Sequence, residues 1–403
     1  MNTLPHDILD IVKEQLDYPL FNEPWMCDVI KANAFIINAH NEYGLSNGTA
    51  VENKFIVSAA APEHLPELLW RDYEYLKRGL KSTIDVEKTL FLFENFGPTP
   101  EAQNIKVKYQ NGIFNSIIFR TPLVYFLNSV FSKIFIVTSF YQHAGCLPEH
   151  DGILGSDDYS DESLIAGIYN DIEVFFDKSL ITQEISPPHF ADPYDYCERV
   201  EGVRRFILAH EIGHTIHTRE ISEVIFNTLS STFALNSSTL RLWAEEIWCD
   251  VFALATILEI YENTALEGPA LYELENILIG VLTYFTILDV VDIAIEREIN
   301  LETTHPPSWL RREHFRNCVK ASSIYHSNLK LQQTLQRNWR RLNSFQNVLT
   351  GGFSPVGIYL EFRNKLTAFG LRAHNNAFRI LTNEISSVYN GDLQQLNHDQ
   401  GYF

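Results

Sequence analysis

The stretch Phe206–His217 reads Phe-Ile-Leu-Ala-His-Glu-Ile-Gly-His-Thr-Ile-His, and it restricts the fold more than any other part of the chain. An apolar run leads into two histidines four apart, with no proline to interrupt a helix. At 3.6 residues per turn, His210 and His214 stand one above the other on a single face. Two imidazoles so placed can ligate one Zn2+ at about 2.0–2.1 Å each. Glu211 follows the first of them, where it can take a proton from a water on the metal. The chain must then bring at least one more ligand to the same point, so this helix belongs in the interior, opposite a second element that carries a donor.

Several residues are candidates for that third ligand. His217 lies on nearly the same face as His214, but three ligands from one straight helix crowd one side of the ion. Glu220 sits ten positions after His210, where a helix would have to break, and the position that would need a glycine is His217. Glu245 and Glu246 lie in Trp243-Ala244-Glu245-Glu246-Ile247-Trp248-Cys249-Asp250, on a second expected helix. Trp243, Ile247, Trp248 and Phe252 around them mark that helix as largely buried, and a buried carboxylate wants a metal or a partner. Glu246 is favoured. Asp250, one turn on, can then accept from a ligand histidine and set its tautomer.

The pattern His210-Glu211-x-x-His214 with Glu246 and Asp250 resembles the gluzincin metallopeptidases. A further segment, Thr304-His305-Pro306-Pro307-Ser308-Trp309-Leu310-Arg311, is similar to the HtpX and CAAX-prenyl-protease type of gluzincin, with features in common with the soluble phage-exclusion peptidases of the Lit type. The resemblance rests on short motifs in the right order. Residues 1–100 and 320–403 take no part in it. It implies a zincin-like core, Zn2+ as cofactor, and Glu211 as general base. It also implies His305 as a donor to the substrate oxyanion, and Arg311 as a support for Asp250 or another acidic group. The HtpX and CAAX relatives are membrane-embedded. Here the nearest approaches to a span are residues 277–288, apolar for twelve positions before Asp289, and residues 122–141, interrupted by Lys133. Neither offers the roughly 20 uninterrupted apolar residues a span needs, so both are expected to be buried core.

Periodicity gives a helix-rich α+β chain. Residues 6–95 read as mostly helical. Residues 104–119 hold Asn111-Gly112 between two β-prone runs, a hairpin signal, and Lys133–Phe140 reads as a third strand, completing a small antiparallel sheet whose edge would pair with substrate backbone. Helices are expected at 162–179, 196–218, 238–264, 269–298, 308–347 and 355–388. The division expected is a mostly helical region over 1–100, the catalytic core over 101–305, and a basic helical region over 306–403.

Charge narrows the partners. With 31 basic and 51 acidic side chains the net charge is −20, which disfavours nucleic acid and anionic membranes. It is unevenly spread. Residues 149–198 hold 13 acidic and one basic side chain, whereas residues 306–380 hold 12 basic and two acidic ones. The basic region is expected to meet an acidic partner or the acidic 149–198 segment. Five scattered cysteines without a C-x-x-C pair support neither a disulfide framework nor a thiolate metal site. Cys249 reads as packing, and Gly44–Gly48 as a loop rather than a nucleophile elbow. Residues Met1–Asp7 lack a basic segment followed by an apolar run, and the expected compartment is the cytoplasm. The function expected is a soluble zinc endopeptidase acting on an intracellular protein. The alternatives are a non-catalytic sensor on the same scaffold or a zinc-dependent small-molecule amidohydrolase.

Overall fold

The structure is a computed structural model. It describes residues 65–80, 89–94, 102–109, 112–120, 193–233, 235–262, 264–294 and 305–352, with short helical stretches at 123–124, 126–131, 133–134 and 168. Among the described residues the chain is mostly helical with one small sheet, which fits the expected helix-rich α+β class. Chain contacts divide it into two units, one of residues 1–74 and 84–215, the other of 75–83 and 216–403. Residues on both sides of 305 share the second unit, and Arg311 and Arg312 pair there with Asp250 and Asp289.

In the first unit, β1 (Thr89–Glu94), β2 (Ala102–Tyr109) and β3 (Gly112–Arg120) form a sheet in the order β1-β3-β2. β2 and β3 are antiparallel and close on Tyr109 opposite Gly112, so two residues link them, as the Asn111-Gly112 signal requires. β1 runs parallel to β3. The sheet is therefore mixed rather than antiparallel, and its third strand precedes the hairpin in the chain instead of following it. β1 also falls inside the stretch expected to be helical. Lys133 and Ile134, expected to open that third strand, are helical. Lys133 Nζ donates to Ser129 Oγ one turn earlier, at 2.8 Å, and Val130, Phe131 and Ile134 are buried at helical spacing. Positions 135–140 lie outside the described residues, as do the expected helices at 355–388 and, apart from residue 168, 162–179. On β3, Ile117 and Phe119 are two apart, share one sheet face and are each 1% exposed.

The same unit holds α1 (Leu65–Leu76) up to Glu74, and α2 (Pro193–Ile216) up to Thr215. Pro193 opens α2 at the position where its missing N–H matters least. Every residue from 200 to 213 is buried, so the polar ones need partners. Arg204 binds Asp72 of α1 through Nε and, at 3.2 Å, through Nη2. Arg205 reaches Asp72 at 3.4 Å and pairs with Glu201. Asp72 is fully buried, and these guanidinium groups are what make its burial tolerable.

The described residues of the second unit are mostly helical: α3 (Glu223–Thr232), α4 (Ser237–Glu262), α5 (Gly268–Ala294), α6 (Ser308–Ala321), α7 (Ser323–Ser327) and α8 (Leu329–Gly352). Asn236 caps α4 by accepting from the Thr239 N–H at 2.7 Å. The expected single helix over 308–347 is in fact three. Ser322 Oγ accepts from Tyr325 N, and Asn328 Oδ1 from Leu331 N. Both side chains thus satisfy the first amides of a new helix and compete with continuation of the old one. α5 is the one described helix long and apolar enough to cross a membrane, and 89% of its apolar window is buried within the chain, as expected of a core helix. Its Asp289, fully buried, meets Arg312 at 3.3 Å and also Gln346, which itself binds Arg312. This network ties α5, α6 and α8 together.

Gly79 packs where a side chain has no room. A Cβ built on it would lie 1.9 Å from the Thr256 carbonyl oxygen of α4. A backbone atom cannot swing aside, so Gly79→Ala is expected to destabilise the protein by about 3 kcal/mol through forced displacement of the chain. Urea denaturation checks this, and a variant as stable as the parent would contradict the close approach.

Candidate metal centre

The site is built on the last two turns of α2. His210 and His214 share one face, and their Nε2 atoms are 3.2 Å apart. Their rings meet edge to face, with centroids 4.9 Å apart. Two bonds of about 2.0–2.1 Å at a tetrahedral angle would hold such nitrogens about 3.3 Å apart. The pair is thus spaced for one shared ion. Among the described residues, one group of three or more donors is able to hold a metal: His210, His214 and Glu246, each offering one ligand atom, all within 4.8 Å of one another. Two imidazole nitrogens and one carboxylate oxygen form a donor set suited to zinc and to several other first-row divalent ions.

The other candidates for the third ligand have different surroundings. α2 ends at Ile216. The Thr215 hydroxyl donates to the Ile212 carbonyl at 2.7 Å, which weakens continuation of the helix. His217 therefore lies past the helix end. Its Nε2 is 2.9 Å from Ser222 Oγ, its Nδ1 is 3.5 Å from Glu245, and its ring packs on Trp248. His217 and Glu245 thus engage each other, and Glu220 is exposed. The His217–Ser222–Glu245 cluster is not legible in the sequence, since the turn after α2 brings His217 and Ser222 together and only packing brings Glu245 of α4 to them.

Glu211 is 6% exposed. Its backbone carbonyl accepts a hydrogen bond from the Asn104 amide of β2 at 3.3 Å. Nothing in the sequence marks Asn104, which is one polar residue opening a β-prone run. It brings β2, at one end of the strand order, against the turn of α2 that carries the motif glutamate.

Glu246 and Asp250 are one turn apart on α4, 7% and 2% exposed. Arg311 of α6 clamps Asp250 with two parallel bonds, Nε to Oδ2 at 2.8 Å and Nη2 to Oδ1 at 2.7 Å. Its Nη1 is 3.9 Å from Glu246 Oε2. Burial alone would lower the Arg311 pKa, but the Asp250 carboxylate overrides it and drives the value up, so the guanidinium stays charged. The contact expected between Arg311 and Asp250 is present. His305 is 60% exposed in its side chain and places Nδ1 3.0 Å from Glu246 Oε2. Pro306 and Pro307 stiffen the segment that follows, and Asp292 of α5 accepts from the Ser308 N–H at 3.1 Å, which anchors the start of α6.

His314 lies on the same helix, 2% exposed, with Nε2 3.5 Å from Cys318 Sγ. Burial pushes its pKa down to about 4, against a smaller upward pull from Asp250. The folded value is below the unfolded one of about 6.5, so on acidification the unfolded chain takes up the proton first. This contribution to stability is complete above pH 6.5 and declines as the pH falls toward 4. It should remove about 2 kcal/mol between pH 7 and pH 5. His314→Gln, which cannot titrate, is expected to flatten that part of the stability profile in urea titrations at the two pH values. An unchanged slope would count against the burial of a neutral imidazole.

Comparison of the chain with protein-family models, with curated proteins and with solved structures gives no match.

Proposed function

We propose that the protein is a zinc-dependent endopeptidase of the gluzincin kind, acting on an intracellular protein. The observation that carries this reading is the grouping of His210, His214 and Glu246 as donors, with an acidic residue, Glu211, directly after the first histidine. A metal-binding site with a structural role alone has no use for that glutamate. Zinc bound there supplies an acidified water and a Lewis acid for the scissile carbonyl.

The chain's own residues do the rest. Glu211 accepts the proton of the attacking water and passes it to the leaving amine. Arg311 holds Asp250 and lends positive charge to Glu246, fixing the carboxylate that serves as ligand. His305 is the candidate donor to the substrate carbonyl oxygen, and its contact with Glu246 gives it a second task as that carboxylate's partner. Substrate backbone would pair with β2, which Asn104 links to α2.

The test compares new protein N-termini in cells expressing the intact chain or Glu211→Gln, with elemental analysis of both purified proteins. Equal, stoichiometric zinc in both and new N-termini only with the intact chain are the expected result. The same N-termini from both, or a chain that binds no transition metal, would defeat the peptidase reading.

A further inference from the structure

α8 carries Lys330, Arg337, Arg340 and Arg341 and no Asp or Glu anywhere from Leu329 to Gly352. Spacings of seven and four place Lys330, Arg337 and Arg341 on one stripe about 16 Å long, with Arg340 at its flank. The other side of the helix is its core face, where Leu331, Leu335, Trp339, Leu342 and Phe345 are buried. Arg337 and Arg340 are exposed and Arg341 is half-buried. α6 adds Arg316 and Lys320, whose charged groups lie 5.8 and 5.1 Å from the centre of the Trp339 ring.

Counter-charge nearby is already used. Arg311 and Arg312 are taken by Asp250 and Asp289, and Glu313 is taken by Arg316 at 3.1 Å. Burial raises the pKa of Glu275 on α5, and a bond from Thr334 and the charge of Lys330 offset only part of that rise. Among the described residues no carboxylate forms an ion pair with Arg337, Arg340 or Arg341, and the pull of Glu313 on Lys320 is smaller than the opposing effects of burial and Arg316. Like charges crowd instead. Burial and then Arg316 lower the Lys320 pKa, and burial and then Arg337 lower that of Arg341. This concentration of positive charge sits on a chain whose net charge is −20.

A surface that keeps like charges together forgoes stability unless something else neutralises them. Nucleic acid suits it poorly. Trp339 is 6% exposed and stacked on Tyr325, so it gives a base no platform. A long polyphosphate would also have to approach a strongly acidic molecule. A short run of carboxylates needs neither length nor stacking, and arginine pairs with carboxylates through two parallel bonds.

We infer that the exposed face of α8, with Arg316 and Lys320 of α6, is a docking site for an acidic polypeptide segment. In the peptidase reading, on which this assignment of the partner as substrate rests, that segment belongs to the protein to be cleaved.

The test is binding of a fluorescein-labelled oligoglutamate to the full chain, followed by anisotropy. The comparison is with the variants R337E/R340E/R341E and R337Q/R340Q/R341Q. All three arginines lie outside the metal centre, so metal content and circular dichroism should match the parent and report intact folding. Binding should weaken with salt, fall roughly tenfold or more in the charge-reversed variant and less in the neutral one, and be absent for an oligoglutamine of equal length. Equal binding by parent and charge-reversed variant would overturn the assignment. So would tighter binding of an oligothymidylate at the same salt, which would mark a nucleic-acid surface. So too would binding that emerges only when the carboxylates of residues 149–198 are neutralised, which would mean that the chain's own acidic segment is the occupant. The readout does not depend on catalysis. A Glu211→Gln variant that still cleaves would remove the peptidase reading and leave the binding result standing.

Discussion

Under the proposed peptidase function, Glu211→Gln is expected to slow peptide-bond cleavage by roughly 10²–10⁴-fold while leaving the metal content unchanged. The substitution keeps the size of the side chain and removes its ability to accept a proton. Glu211 is not one of the three donors, and the bond from Asn104 goes to its backbone carbonyl, so neither the ligand set nor the seat of α2 against β2 depends on the carboxylate. A base that acts only in the transition state should lower kcat and kcat/KM together, with little change in substrate affinity. Stopped or single-turnover assays on a cleaved substrate, with elemental analysis alongside, read both quantities. Loss of the metal in Glu211→Gln would instead make Glu211 a support of the site and remove the argument for catalysis.

Arg311→Met is expected to be the most damaging single change outside the donor set. It would leave Asp250, 2% exposed, without its clamp and withdraw positive charge from Glu246. Removing one partner of a buried pair costs about 3–5 kcal/mol, because the remaining charge stays in a poorly solvated place. Metal affinity should fall as well, by roughly 10–100-fold, as is usual when a group that orients a ligand is lost. Arg311→Lys should recover part of the stability, since it restores the charge but not the two parallel bonds. Chemical denaturation with a chelator competition assay measures the two effects. The companion variant Asp250→Leu with Arg311→Met should recover much of the lost stability, because it removes both charges. A single Arg311→Met that is as stable as the parent would show that Asp250 is held by something else.

The two most informative helices were legible because their patterns are local. The apolar approach to His210 and the absence of proline give α2 within three residues at each end, 193–216 against 196–218. The tryptophans around Glu246 identify α4, 237–262 against 238–264, and its burial. The hairpin of β2 and β3 was legible for the same reason. The strand before it was not. β1 lies parallel to β3, and a parallel neighbour leaves no turn in the sequence to mark it. Lys133 and Ile134 mislead because a short apolar run suits a strand and a buried helix equally. The long run after Ser308 was read as one helix because its hydrophobic spacing persists. What stops it is the competition of the Ser322 and Asn328 side chains for backbone amides.

By itself the sequence determined that His210 and His214 share a face with Glu211 next to the first of them, and that Glu246 and Asp250 stand one turn apart. Helical periodicity makes these relations a matter of counting. It also determined the uneven charge, since composition needs no fold. Only the tertiary structure decided which carboxylate joins the histidines, because Glu245 and Glu246 are neighbours in the chain and differ in what each faces after packing. It likewise decided which charges neutralise which. Arg204 meets Asp72 across 132 residues and Arg311 meets Asp250 across 61. Pairings at such distances follow from burial, where an ion without a partner is too costly to keep, and nothing in the local sequence specifies them.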